Sequence, residues 1–290
     1  MSITSKIHKF VVMKDSAVMK IDVDGVLRQR IPRYYRYIPR FIIRWLERTI
    51  CQEQLNDLME KNGNKTDAEF CAGVLDSLNI SYEVLGEENL PSVENRRVVI
   101  VSNHPLGALD GMTMIDYITK RYGGNVKFVV NDLLMAIKPL KGVFLPINKH
   151  GKQSRNSSNA IDEAMAGNDP IIIFPAGLCS RRQPDGTICD LEWRKMFVNK
   201  SVEYQRDVIP MYFDAENSSF FYKFAKLRVR LGLKFNIEMI YLPREIFRSE
   251  NAKFSIKVGN PISWKNLMSG KHASKQASEI KDIVYNLKNQ

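Results

Sequence analysis

Seven short runs set the terms for the whole chain. At 97–102, 126–130, 143–147, 170–174, 207–213, 237–242 and 254–258, most of the Val, Ile and Phe positions are consecutive rather than alternate. A strand that is apolar on both faces has to be covered on both faces, which is the situation of a mainly parallel sheet between helices. Helix-like stretches at 111–121, 157–166 and 193–206 separate several of the runs. The expected fold is α/β: a mostly parallel sheet of about seven strands, covered by helices. Pro210 inside the run DVIPMYF predicts an irregular strand or a bend there. In such sheets the reactive groups sit just past the C-terminal ends of strands, so those positions are the place to look for chemistry.

The pattern upstream is different. Residues 1–91 read as an N-terminal helical, membrane-facing segment, and 92–290 as the α/β domain. Over 33–50, Ile38, Phe41, Ile42, Trp45 and Leu46 recur at steps of three and four, beside a ladder of Arg36, Arg40, Arg44 and Arg48, with Pro39 in the first turn. Two readings fit. The helix packs on the core with its arginines in water, or it lies among lipid headgroups with aromatic side chains dipping in. A further helix is expected at 66–78. The start, MSITSKIHKFVVMKDS, lacks the apolar run and small-residue cleavage site of a signal peptide, and no run of 18 apolar residues predicts a membrane-spanning helix. The net charge of +11 favours an anionic partner, whether lipid, acidic carrier protein or nucleic acid.

The strand ends carry the candidate chemistry. The run VVIVSN opens into His104-Pro-Leu-Gly107-Ala-Leu-Asp110-Gly. Imidazole titrates near neutral pH and can take a proton from a hydroxyl. A carboxylate on its other ring nitrogen fixes the tautomer, and Gly107 lets the backbone turn between the two. The alternative is a turn histidine beside an Asp N-cap. The run GVFLPIN ends in Lys149-His150-Gly-Lys152-Gln-Ser-Arg155, whose three cations suit a phosphate or carboxylate unless they are simply solvated. The run PIIIFP ends in AGLCSRR, where Pro175 and Gly177 shape a turn whose N–H groups can face an oxyanion, and Arg181 and Arg182 add charge.

The segments SNHPLGALDG, FLPINK, FPAGLCSRR and VIPMYF, in this order, resemble the four blocks of the lysophospholipid (glycerolipid) acyltransferase superfamily. The resemblance implies transfer of a fatty acyl group from an acyl thioester to a hydroxyl, with His104 as general base and Asp110 as its orienting partner. It implies that the second and third blocks hold an anionic acceptor, and Lys149, Arg155, Phe174, Pro175, Gly177, Ser180 and Arg181 in or beside them, with Asn103 and Gly107 of the first block, are expected to bind substrate. Two features depart from the superfamily pattern. Five residues rather than four separate His104 from Asp110, and Ala176 replaces the Glu of the third block that helps bind glycerol phosphate. Both resemble the branch labelled hemolysin, which includes O-acyltransferases of aminolipid precursors such as N-(3-hydroxyacyl)glycine. The label itself has no support in these residues. Lysophosphatidate is the alternative acceptor, and a non-enzymatic lipid-binding protein the alternative of another class.

No cofactor and no metal are expected. Acyl-ACP or acyl-CoA enters as co-substrate, and the protein is expected to be peripheral on the cytoplasmic face of the inner membrane, without a nucleic-acid partner. No GxSxG elbow supplies a serine nucleophile, and no GxxxxGK[ST] makes the basic loops a P-loop. Cys51, Cys71, Cys179 and Cys189 form no CxxC pair, and Cys179 is expected to be structural rather than nucleophilic.

Overall fold

The computed structural model describes residues 20–147, 154–233 and 235–289. Five helices lead: α1 (Val23–Arg30), α2 (Pro32–Tyr35), α3 (Arg40–Thr49), α4 (Gln52–Asn62) and α5 (Asp67–Ser77). Then follow β1 (Ser81–Leu85), β2 (Val99–Ser102), α6 (Leu109–Tyr122), β3 (Lys127–Asn131), β4 (Phe144–Ile147), α7 (Ser154–Ala166) and β5 (Ile171–Ile173). The short hairpin β6 (Arg181–Arg182) and β7 (Ile188–Cys189) precedes α8 (Met196–Tyr204), β8 (Val208–Asp214), α9 (Ser219–Arg230), α10 (Leu242–Arg248), β9 (Lys253–Val258) and α11 (Ala273–Asn286). Seven strands make one sheet in the order β1-β9-β8-β2-β5-β3-β4, with β8–β9 its antiparallel pair and the other pairs parallel.

The doubly apolar strands explain the layers. In β2 and the residue before it, Val98 and Ile100 join one core with α4, α5 and α6, while Val99 and Val101 join a second core with α7, α8 and α11. Each face of the central strand therefore removes its side chains from water, and each buried Val or Ile contributes about 1.5–3 kcal/mol.

Four expectations need correction. The sheet has seven strands, but 237–242 is not one of them. Ile237–Tyr241 is a 3₁₀ turn that runs into α10, where Pro243 in the first turn presets a helical φ. The seventh strand is β1, whose partner is β9. The sheet therefore begins upstream of residue 92 and crosses the expected boundary. The helix expected over 33–50 is broken. The preceding helix α2 ends at Tyr35, and Pro39, extended and without an N–H to continue a helical ladder, is the N-cap of α3. Finally, β8 shows no break at Pro210. The missing N–H lies on the side of residues 259–262, where the ladder to β9 has given way to Gly259 N donating to the Pro210 carbonyl and a bridge from Val208 to Ile262.

On α3 only Ile43 and Thr49 are buried. Phe41 is 71% exposed and Trp45 49%, so the apolar stripe does not face the core. Among the described residues no helix is long and apolar enough to cross a membrane.

One buried cation closes the rear of the sheet. Arg206 donates to the carbonyls of Val98, Ala164, Met165, Gly167 and Asp169, tying the end of α7 to the entries of β2 and β5. Burial pulls its pKa down, yet it remains charged at neutral pH. Arg206→Met is expected to lower stability by about 2–3 kcal/mol, because the packing is kept but the carbonyls lose a charged donor. Chemical denaturation of the two proteins checks this.

Candidate active site

β2 is flanked by β8 and β5, and its C-terminal end opens into the loop that carries His104. Three ties fix that histidine's backbone and ring. Its N–H donates to Asp190 Oδ1 at 3.2 Å, and its carbonyl accepts from Ser180 N at 2.8 Å. The ring stacks on Phe174, with centroids 4.4 Å apart and planes 29° from parallel. Asn217 Nδ2 donates to the next carbonyl, that of Pro105, at 2.9 Å. The loop is thus held from the ends of β5 and β8 at once.

Asp110, on the first turn of α6, is fully buried. Its Oδ2 lies 2.9 Å from His104 Nδ1 and accepts from Leu106 N at 2.9 Å and Gly107 N at 3.2 Å. Its Oδ1 accepts from Gly111 N at 2.9 Å. The extra residue between His104 and Asp110 is taken up at Gly107, whose φ of +85° suits a residue without Cβ. Four donors converge on two oxygens, which is an environment for a carboxylate and not for a carboxylic acid. Burial alone would raise the Asp110 pKa. The His104 ring and the backbone donors outweigh it and hold the carboxyl below its ordinary value.

With an ionised acceptor on Nδ1, that nitrogen carries the proton and Nε2 has the free lone pair. Nε2 has no hydrogen-bond partner among the described residues, and the side chain is 16% exposed. Burial would lower the His104 pKa, but the Asp110 carboxylate outweighs it, with Asp190 adding and Arg181 opposing, so the pKa is raised. The arrangement can accept a proton from a hydroxyl brought to the exposed edge of the ring.

Gly107→Ala tests the turn. A Cβ would meet Leu242 Cδ1 at 2.9 Å, and the positive φ would remain. The Leu242 methyl can shift, so backbone strain dominates, about 1–2 kcal/mol. We expect a lower Tm and a lower kcat, since the N–H that holds Asp110 moves with the strained residue. Thermal melts beside steady-state kinetics check this.

The other residues singled out by sequence fall into three groups. Phe174 meets His104 directly, and Gly107 holds Asp110. Lys149 lies outside the described residues, as does the side chain of Arg155. The third group does structural work. The Asn103 amide donates to the Phe213 carbonyl and accepts from its N–H, cross-linking β2 to β8. Ser180 Oγ donates to Asp190 at 2.6 Å. Arg181 is buried, with Nη2 on Glu238 Oε1 at 2.8 Å and Nη1 on the Cys179 carbonyl at 2.7 Å. Pro175 is buried with its carbonyl accepting from Arg194 N, and Gly177 N donates to the Phe174 carbonyl. The polar groups of Asn103, Ser180 and Arg181 thus have partners within the fold. Cys179 is fully buried with its thiol pushed up to about 11, as befits a structural residue.

Sequence reasoning missed Asp190 and Glu238. Burial raises the Asp190 pKa, against donation from Ser180, Trp193 and the His104 backbone. Glu238 sits between Arg181 and Arg228. Neither stands in a pattern that marks it, since each meets its partners only through the fold.

A family profile described as Acyltransferase matches residues 25–290. A lyso-glycine lipid O-acyltransferase of Phocaeicola vulgatus is 42% identical over 275 residues, covering 95% of this chain and 98% of that protein. The protein of the same name from Bacteroides thetaiotaomicron is 40% identical over 275 residues, covering 95% of this chain and 100% of that one. Among solved structures, the 1-acyl-sn-glycerophosphate (LPA) acyltransferase PlsC from Thermotoga maritima aligns with a TM-score of 0.44 and 18% identity, over 77% of this chain and 83% of its own. The match from residue 25 to residue 290 takes in the whole sheet and the His104 loop, and the chain therefore belongs to the acyltransferase family.

Proposed function

We propose that this acyltransferase O-acylates the hydroxyl of an N-acyl glycine lipid precursor, using an acyl thioester on acyl carrier protein or coenzyme A. The observation that carries the acceptor is the 42% identity, over 95% of the chain, to a protein named for that substrate. Ala176 supports it: the position that holds a glutamate in glycerol phosphate enzymes is here a buried methyl in an apolar cluster.

The chemistry follows from the pair. Nε2 of His104 removes the acceptor hydroxyl proton as the oxygen attacks the thioester carbonyl. Asp110 stabilises the imidazolium that forms and keeps its ring plane fixed. The tetrahedral intermediate collapses to the ester, and the imidazolium returns the proton to the departing thiolate, so no acyl-enzyme is formed. The substrates sit in or beside a bilayer, and we place the enzyme at the membrane surface, on its cytoplasmic face, as a peripheral protein.

Incubation of the purified protein with acyl-ACP or acyl-CoA and either N-(3-hydroxyacyl)glycine or lysophosphatidate tests the reading. Mass spectrometry should find the diacylated glycine lipid. Phosphatidate as the preferred product would overturn the acceptor assignment.

A further inference from the structure

Between the N-terminal helices and the α9–α10 region lies a cleft of about 530 Å³. Trp45 and Arg48 of α3 line one side, Phe220 of α9 with Tyr241, Arg244 and Arg248 the other. No carboxylate lines it, and among the described residues none of the three arginines forms an ion pair. Arginines in this state, beside aromatic walls, suit an anion attached to something apolar.

The second observation is the surface beside the cleft. From 226 to 237 the sequence alternates basic or polar with apolar residues. Such alternation ordinarily marks a strand with one buried face. Here α9 runs to Arg230, Gly232 turns the chain with φ +68°, and the apolar set stays in water. Leu227, Val229, Leu231, Leu233, Phe235 and Ile237 are all exposed, Val229 and Leu231 at 63%. Phe41, Ile42 and Trp45 are exposed on α3 across the cleft. Phe220 packs edge-on against Tyr241 at 4.9 Å, so the wall of the cleft is continuous with the helix that bears this arm. Exposed Lys223, Lys226 and Arg230 are interleaved with the apolar residues. An apolar surface of this extent, interleaved with cations, complements an anionic bilayer, its apolar side chains toward the acyl boundary and its cations toward the headgroups.

We infer that α3 and the 220–237 arm enter the membrane interface together, and that the cleft between them takes the anionic headgroup of a bilayer lipid. This rests on the peripheral reading given above and extends it to a second element and a headgroup site. Arg48 and Arg244 bind the headgroup, while Leu231 and Phe235 enter the acyl boundary. The catalytic pair lies outside the cleft lining.

Vesicle co-sedimentation tests this with three double variants: Arg48→Gln with Arg244→Gln, Leu231→Ser with Phe235→Ser, and, as a charge control near the start of α11, Lys271→Gln with Lys275→Gln. All the replaced side chains except the control's are cleft or arm residues, and circular dichroism with thermal melts verifies folding. Wild type should bind vesicles of phosphatidylglycerol and phosphatidylcholine in equal parts. The cleft pair should lose at least ~10-fold in partitioning, the scale for two arginines leaving an anionic surface. The arm pair should lose a similar factor, and the control should lose little. Wild type that ignores anionic vesicles overturns the peripheral reading and the inference with it. Binding by wild type that the cleft and arm pairs retain, or that the control loses equally, overturns the inference alone. Inorganic phosphate that raises Tm in wild type but not in the cleft pair, with vesicle binding unchanged, would make the cleft a soluble-anion site and would also overturn it.

Discussion

His104→Ala is expected to lower acyl transfer by at least ~10²-fold, the scale of a lost general base, while the protein stays folded. The expectation rests on where Nε2 points and on what the rest of the ring does. Nδ1 is committed to Asp110, so the second nitrogen is the atom that can receive a proton. The fold should survive because Asp110 keeps its donors from Leu106, Gly107 and Gly111, and the His104 backbone keeps Asp190 and Ser180. The lost stacking on Phe174 costs about 0.5–1.5 kcal/mol. The pH profile gives a second test. A base works when it is deprotonated, so the rate should rise with pH through the His104 pKa and level off above it. That pKa is raised, so the acid limb should lie above the ordinary imidazole value. Near-normal kcat in folded His104→Ala, or a rate flat across this range in wild type, would remove His104 from the mechanism.

The parts of this site that were legible in the sequence are those that local chemistry decides. VVIVSN reads as a buried strand because its apolar residues are consecutive, and His104 follows where such a strand must stop. Gly107 marks a turn, and Asp110 opens a helix. The rest depended on partners far away in the chain. Arg181 reads as a free cation until Glu238, 57 residues on, arrives beside it. Asn103 reads as a polar residue at a strand end until Phe213, 110 residues on, takes both ends of its amide. Glu238 is hidden inside the β-like run IEMIYL, whose apolar residues suggest pairing where a tight turn instead buries a charge. β1 escaped notice for the opposite reason: an edge strand with half-exposed alternation has a weak apolar signal. Local pattern thus marked the His104–Asp110 pair and left the contacts of Asn103, Arg181 and Glu238 hidden, because those contacts are made only through the fold.

Asp110→Asn separates positioning from proton transfer, and its outcome follows from counting donors. An amide offers one oxygen and one NH2 in place of two oxygens. If the oxygen takes the place of Oδ2, the His104 tautomer and the Leu106 and Gly107 bonds survive, but the NH2 then faces the N–H of Gly111. Turned the other way, the NH2 faces three donors at once. The first orientation is the less costly, and it still leaves one buried donor pair unsatisfied, about 1–3 kcal/mol of stability. The variant should therefore melt lower while remaining folded at moderate temperature. Its rate should fall by about 10²–10⁴-fold, because a neutral amide cannot stabilise the imidazolium formed as the hydroxyl is deprotonated. Loss of the carboxylate should also move the acid limb to lower pH, since the charge that raises the His104 pKa is gone and burial, which lowers it, remains. A purely structural Asp110 would lower Tm and active fraction without moving that limb, so a pH–rate profile of the residual activity, read beside the melt, decides between the two roles.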